Sequence, residues 1–283
     1  MLKTSPQMQV FGIVGKDTSY SLSPVLHNAM FRHSGYGGTY VALPARDEAT
    51  LRGLLAACRG GAVRGLNITV PWKESAAALV DFLDPTARSC GAVNTVVCRE
   101  NGLWGYNTDG NGFCRSLVEE SGMILEGARV VILGAGGAAR GIVHALLQNA
   151  VHSVLVYNRS PEKARRLAHD AADARVSAVS ELPSMEGSIV VNTTSAGMKD
   201  DRTQLFSAQQ LKGAAYFYDI VYAPARTIHM EISWKANVPC CNGKGMLLWQ
   251  ALIAFELFTG FKCPVSAVRR ALDEAAANKW FAE

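Results

Sequence analysis

The stretch Val130–Gly141, VVILGAGGAARG, limits what this chain can fold into more than any other. A β-branched run enters a glycine-rich turn, and the residues beyond it can continue as a helix. In that arrangement Gly134 makes the tight turn, Gly136 lets backbone approach a pyrophosphate, and Ala139 takes the position where helix packs on strand. The helix N-terminus offers unpaired N–H groups and the positive end of its dipole to the phosphates. The next apolar run, Val154–Ser160 (VLVYNRS), ends where an acidic residue would hold an adenosine 2′-hydroxyl. Here it ends in Asn158, Arg159 and Ser160, an amide, a guanidinium and a hydroxyl. That set suits a 2′-phosphate, so the expected cofactor is NADP(H) rather than NAD(H).

The turn falls near the middle of 283 residues, which leaves room upstream for a separate substrate domain. Downstream, apolar runs and helical patterns alternate: Val154–Asn158, Pro161–Asp170, Ile189–Asn192, Ala208–Leu211, Tyr216–Ile220 and Ile228–Ala236. This is the doubly wound pattern of an α/β fold. Two helices, Met246–Thr259 and Val265–Ala277, close the chain with no strand after them and are expected to pack back on the first domain. The expectation is an N-terminal α/β substrate domain over residues 1–121, completed by the C-terminal helices 244–283, and a Rossmann-type NADP-binding domain over residues 122–243.

Composition excludes several alternatives. Hydrophobic residues make up 49% and charged residues 18%, as in a well-buried globular protein. A net charge of +4 with no basic run gives no footprint for nucleic acid. The seven cysteines are scattered without C-x-x-C spacing, which argues against a disulfide framework or a metal site and suits the reducing cytoplasm. The N-terminal residues lack a charged-then-apolar signal pattern. Met246–Phe261, interrupted by Gln250 and Glu256, reads as a core helix and not as a membrane span.

Polar clusters outside the nucleotide fingerprint sit beside strands or helix starts. In Ser19–Pro24 the hydroxyls of Ser21 and Ser23 point to one side of extended backbone and can receive a carboxylate, although Ser23 can equally cap a helix entered through Pro24. In GLNITVPWK, Asn67 and Thr69 alternate on one strand face, and Pro71 precedes Lys73. Asn94 adds an amide, and Asp109 lies in the loop GYNTDG. A hairpin is expected over Ala92–Arg99 and Leu103–Tyr106.

Taken together, GKDTSYSLSP, GLNITVPWK, GAVNTV, GYNTDG, ILGAGGAARG, NRS, NTTSAGM, DIVYAP and NGKGMLLWQ, in this order and over nearly the whole chain, resemble the shikimate dehydrogenase family. The resemblance implies NADPH-dependent, reversible reduction of 3-dehydroshikimate to shikimate in aromatic amino-acid biosynthesis, with a small-molecule substrate and no nucleic-acid or membrane partner; it leaves a homodimer open. It further implies that Lys73 and Asp109 form the catalytic pair. Ser21, Ser23 and Tyr222 would hold the substrate carboxylate, and Asn67, Thr69, Asn94 and Gln250 would surround the ring. Gly134, Gly136, Gly137 and Ala138 would contact the pyrophosphate, and Asn158, Arg159 and Ser160 the adenosine phosphate. Thr193, Ser195, Met198, Gly243 and Met246 would line the nicotinamide side.

Reduction of a ketone develops negative charge on oxygen, which an ammonium can stabilise and protonate. A neighbouring carboxylate keeps that lysine oriented and charged. Such a reaction predicts a cleft that closes about linkers near residues 121–127 and 237–243. A quinate/shikimate dehydrogenase that uses NAD or NADP, and a nucleotide-binding regulator without activity, stay open at this point.

Overall fold

Two six-stranded sheets carry the fold, one in each of the two units into which the chain divides. The computed structural model describes residues 8–280. The first unit ends at Thr108 and resumes at Gln250, and the second is Asp109–Trp249.

The first unit contains β1 (Gln9–Gly15), α1 (Ser23–Ser34), β2 (Gly38–Pro44), α2 (Glu48–Arg59), β3 (Gly65–Ile68), α3 (Lys73–Leu79), β4 (Phe82–Leu83), α4 (Pro85–Cys90), β5 (Thr95–Arg99) and β6 (Gly102–Tyr106). Its sheet order is β2-β1-β3-β5-β6-β4. β1 pairs in parallel with β2 and β3, whereas β3–β5 and β5–β6 are antiparallel. The change follows from the connections: a tight turn can join only antiparallel strands, and here it joins β5 to β6. β3 is buried at every position, and on one side Leu51, Leu55 and Cys58 of α2 pack with Val14, Leu66 and Val96. Elsewhere Phe11 stacks between Phe31 (ring centroids 5.1 Å) and Phe258 (5.2 Å).

The second unit contains α5 (Asp109–Ser121), β7 (Arg129–Leu133), α6 (Gly137–Gln148), β8 (Ser153–Tyr157), α7 (Pro161–Ala171), β9 (Val176–Val179), β10 (Ile189–Asn192), α8 (Ala208–Leu211), β11 (Tyr216–Asp219), α9 (Ile228–Lys235) and β12 (Cys240–Cys241). Its order is β12-β11-β10-β7-β8-β9, with every pair parallel. This is the doubly wound α/β arrangement predicted from the alternation, and its winding reverses between β7 and β10, where open parallel sheets bind ligands. β10 and β11 are buried at every position, as strands covered on both faces must be.

The helix α10 (Lys244–Thr259) begins in the second unit and ends in the first, and α11 (Val265–Trp280) packs on α1. The C-terminal helices therefore return to the first unit, as their position predicts. The expected boundary at residue 121 places α5 in the first domain; in the structure α5 is packed into the second unit. A Cβ on Gly110 would lie 2.0 Å from the carbonyl oxygen of Gly141, so α5 and α6 approach backbone to backbone. Phe113 and Leu117 join the core of Ile132, Ile142 and Leu146. Both expected hinge segments, 121–127 and 237–243, consequently lie inside the second unit. Among the described residues, no helix is long and apolar enough to cross a membrane.

Candidate active site

In the first unit the polar residues singled out in the sequence collect around the ends of β1 and β3. Thr69 N–H donates to Val14 O (2.8 Å), which sets Thr69 beside the end of β1. Trp72 N–H donates to Thr69 O (2.9 Å), and the Trp72 indole anchors the turn on Ala45 O (2.8 Å). Lys73 opens α3, half-buried, and its carbonyl accepts from Val93 N–H (2.9 Å), so the turn bearing the ammonium is tied to the residue before Asn94.

Ser21 lies in the loop after β1, and Ser23 is the first residue of α1. Pattern permits Ser23 as a helix cap, yet Leu22 takes the N-cap position with no side-chain cap, and Ser23, inside the first turn, donates its N–H to Ser21 Oγ (3.2 Å). Burial, with the Asp17 carboxylate beside it, pushes the neighbouring Tyr20 phenol up.

The amides form a buried chain. Tyr40 Oη donates to Asn67 Oδ1 (2.7 Å), and Asn67 Nδ2 donates to Asn94 O (3.2 Å) and Thr95 Oγ1 (3.0 Å). Thr95 Oγ1 donates to Asn94 Oδ1 (2.9 Å), which also accepts from Thr108 N–H (2.9 Å), while Asn94 Nδ2 donates to Thr108 Oγ1 (2.9 Å). Both Asn67 N–H donors are thus committed to the framework, while its Oδ1, which accepts from Tyr40, has a second lone pair left to accept with. Tyr40 and Thr95 escaped the sequence reading because both look like ordinary strand residues. His27 stacks on Tyr40 (centroids 4.2 Å, interplanar 5°), and complete burial pushes its imidazole down to about 3. Gln250 is the first residue of the returning segment, half-buried on α10.

In the second unit, Asp109 is the buried first residue of α5, directly after Thr108 in the chain. Gly134 follows β7 with φ +116°, and a Cβ there would lie 2.5 Å from Thr193 Oγ1. Thr193, after β10, donates both its N–H and its hydroxyl to Leu133 O (2.8 Å each). The switch point of the sheet is therefore lined by backbone, as a pyrophosphate requires. Gly136 is the N-cap of α6 without a side-chain cap, with open space where its Cβ would be, and Gly137 and Ala138 begin the helix half-exposed. Its first N–H groups point at an accessible surface.

At the end of β8, Ser160 is the N-cap of α7 yet makes no cap hydrogen bond, and Asn158 Nδ2 donates to Ser160 O (3.0 Å). Arg159 is exposed and enters no ion pair among the described residues, whereas Arg140 is held by Asp170 (2.8 Å). Ser195 is exposed and Met198 half-buried in the loop after β10. Gly243 N–H donates to Val221 O (3.1 Å), which sets it beside the turn carrying Tyr222, and Met246 N–H donates to Tyr218 Oη (3.2 Å) of β11. The Met246 side chain is 8% exposed and belongs mainly to the apolar core. The sequence reading also missed Asn192 and Asp219, buried polar residues that end β10 and β11. The available signal was a polar residue closing each apolar run, IVVN and YFYD.

The residues present fit a phosphorylated dinucleotide: an open glycine at the helix start, an uncapped helix N-terminus, and an exposed guanidinium beside a hydroxyl that makes no cap bond. Among the described residues no group of histidine, cysteine and acidic side chains could hold a metal ion.

Comparison with known proteins covers the same ground. Family models match a shikimate dehydrogenase substrate binding domain over residues 13–96, shikimate / quinate 5-dehydrogenase over residues 116–233, and a shikimate 5′-dehydrogenase C-terminal domain over residues 243–272. The NADP(+) shikimate dehydrogenase of Methanopyrus kandleri is 37% identical, with 95% of this chain and 96% of the relative covered. The crystal structure of Thermus thermophilus shikimate 5-dehydrogenase in complex with NADP(H) and shikimate gives a TM-score of 0.87 at 34% identity, covering 95% of this chain and 100% of that one. A quinate dehydrogenase from Corynebacterium glutamicum in complex with NAD gives a TM-score of 0.84 at 28% identity, covering 94% and 99%.

Proposed function

The chain belongs to the shikimate dehydrogenase family, and from that premise we propose how its residues share the NADP-dependent interconversion of shikimate and 3-dehydroshikimate. It is an oxidoreductase that uses NADP(H) and serves the shikimate pathway, the source of chorismate and the aromatic amino acids. The observation that supports the assignment of roles is the tie between Lys73 O and Val93 N–H, which joins the turn that bears Thr69 and Lys73 to the residue before Asn94.

Bound NADPH supplies the hydride. The protein must then stabilise and protonate the oxygen on which charge develops, and we assign that to Lys73 with Asp109. Ser21, on the loop before α1, and Ser23, in its first turn, receive the carboxylate with Tyr222. Thr69, Asn94 and Gln250 address the ring hydroxyls. Asn67 acts through Asn94: its donors hold the Asn94 carbonyl and the Thr95 hydroxyl that in turn orients the Asn94 side chain.

Gly134, Gly136, Gly137 and Ala138 cradle the pyrophosphate, while Asn158, Arg159 and Ser160 take the 2′-phosphate. Thr193, Ser195, Met198, Gly243 and the backbone at Met246 form the nicotinamide side. The scattered cysteines, without C-x-x-C spacing, favour the reducing cytoplasm as its location.

The test is purified protein with shikimate or quinate, each with NADP⁺ or NAD⁺, followed by reduced-nicotinamide absorbance. Turnover confined to shikimate with NADP⁺ is the expected result. Equal turnover with quinate or NAD⁺ would overturn the specificity, and none in any pair would overturn the activity.

A further inference from the structure

We propose that Asp219 is a positioning residue whose buried carboxylate fixes two loops together, the one bearing Thr193 and Ser195 and the one bearing Tyr222, and so sets the geometry of the nicotinamide half of the cofactor site. The inference rests on the assignment of those loops given above. Asp219 ends β11 and is 0% exposed. Its Oδ1 accepts from Asn192 Nδ2 (2.9 Å) and Val221 N–H (3.1 Å), and its Oδ2 accepts from Thr227 Oγ1 (2.7 Å). One side chain thereby joins the end of β10, the turn after β11 and the start of α9.

Each partner passes the constraint on. Asn192 Oδ1 accepts from Thr194 N–H (2.9 Å) and Thr194 Oγ1 (2.7 Å), and its Nδ2 also reaches Ala196 O (3.3 Å). Thr194 Oγ1 accepts from Ala196 N–H (3.0 Å), so residues on both sides of Ser195 are held. Thr227 caps α9 by accepting from Met230 N–H (3.2 Å).

His229, also 0% exposed, accepts from Leu205 N–H at Nε2 (3.3 Å). A neutral imidazole that accepts at Nε2 carries its proton on Nδ1, and that atom faces Asp219 Oδ2 at 3.6 Å. The contact is electrostatic and too long for a hydrogen bond.

An apolar side chain at this position would cover the same core without the desolvation cost of a carboxylate. What the carboxylate adds is direction. It dictates where three backbone and side-chain groups from separate segments must sit, and two of those segments carry the proposed ligand contacts. The rest of the cofactor site, at the ends of β7 and β8, makes no bond to it.

The experiment compares the two halves of the cofactor. The Kd of 2′,5′-ADP, which carries only the phosphorylated adenosine end, and of NADPH is measured by calorimetry for wild type and Asp219→Asn, with kcat for shikimate oxidation. The variant is expected to bind 2′,5′-ADP within about twofold of wild type, to bind NADPH several-fold more weakly, and to lose about a hundredfold in kcat at saturating cofactor, the scale of a small misplacement at a reacting centre.

Parallel loss of both affinities, or unchanged NADPH affinity and kcat, overturns the proposal. Should Asp219→Asn not fold, Thr227→Val is judged by the same two criteria, with Thr227→Ser expected to restore wild-type values and its failure to do so counting against the proposal. A wild-type protein without NADP⁺-dependent shikimate oxidation overturns the assigned function instead, and so separates the two failures.

Discussion

In the first unit the polar residues around the substrate assignments lie inside the fold and bind one another, from Tyr40 through Asn67 and Thr95 to Asn94 and Thr108. At the end of β8 in the second unit, Arg159 and Ser160 stand in solvent, the guanidinium without an ion pair among the described residues and the hydroxyl without the cap bond its position offers. The two regions face different recognition problems. A small polyhydroxylated ring has few atoms, so discrimination needs donors and acceptors held in place before it arrives, and only a buried, mutually satisfied chain holds them. A phosphate carries its charge outward on a flexible cofactor, and an exposed arginine can meet it with little desolvation. Damage to the first region should therefore show in the chemistry and in the sugar-like substrate, and damage to the second in the choice of cofactor.

The strongest way to break the comparison is Lys73→Ala. Loss of the proton donor should lower turnover by about a thousandfold or more, with NADPH affinity within about twofold in a direct titration. Retention of most turnover would remove Lys73 from the mechanism. Arg159→Ala should raise the KM for NADP⁺ by about ten- to a hundredfold, the worth of a charge-assisted contact, while kinetics with NAD⁺ stay as they were. Equal loss with both cofactors would place Arg159 in general stability.

Tyr40→Phe deletes one buried hydroxyl that donates to Asn67 Oδ1 (2.7 Å). It should lower kcat/KM for shikimate by about three- to tenfold and leave the KM for NADP⁺ unmoved. A change in the cofactor KM alone would contradict the division drawn here.

The last effect bears on stability and not on turnover, and is absent at neutral pH. Burial holds His27 at about 3, against 6.5 in the unfolded chain, so the unfolded state binds the proton first as pH falls. This group's contribution to stability is intact above pH 6.5, drains as pH falls below it, and is exhausted below about 3. Between pH 7 and pH 5 it should amount to about 2 kcal/mol. Denaturant titrations at both values measure it, and His27→Phe should remove that part of the pH dependence. An unchanged slope in the variant would show that another group is responsible.

How much of this was legible in the sequence differs between the same regions. The glycine turn, the doubly wound unit and the returning helices could be read because apolar periodicity and φ-permissive residues act locally. β4, β9 and β12 could not, since edge strands as short as Phe82–Leu83 and Cys240–Cys241 exist only through the partner that pairs with them. Ser23 reads as a cap by pattern, yet the helix starts a residue earlier than pattern suggests and puts it inside the first turn. Asn67 was legible as important but its bonds were not, because only the fold brings Tyr40 and Thr95 to its amide. Asp219 looked like the end of a strand, and its reach to Asn192 and Thr227 is a property of the packed sheet. Residues that touch ligands carry signals in their neighbours along the chain, and residues that hold them carry signals only in space.

The most direct test of the account is a crossed measurement on Lys73→Ala and Arg159→Ala, with NADPH and NADH affinity and shikimate turnover determined for each. The account predicts that Lys73→Ala binds NADPH as wild type does and barely turns over, and that Arg159→Ala loses preference for NADPH while keeping its turnover at saturating cofactor. If either variant loses cofactor selectivity and turnover together, the division of labour between the two regions is wrong.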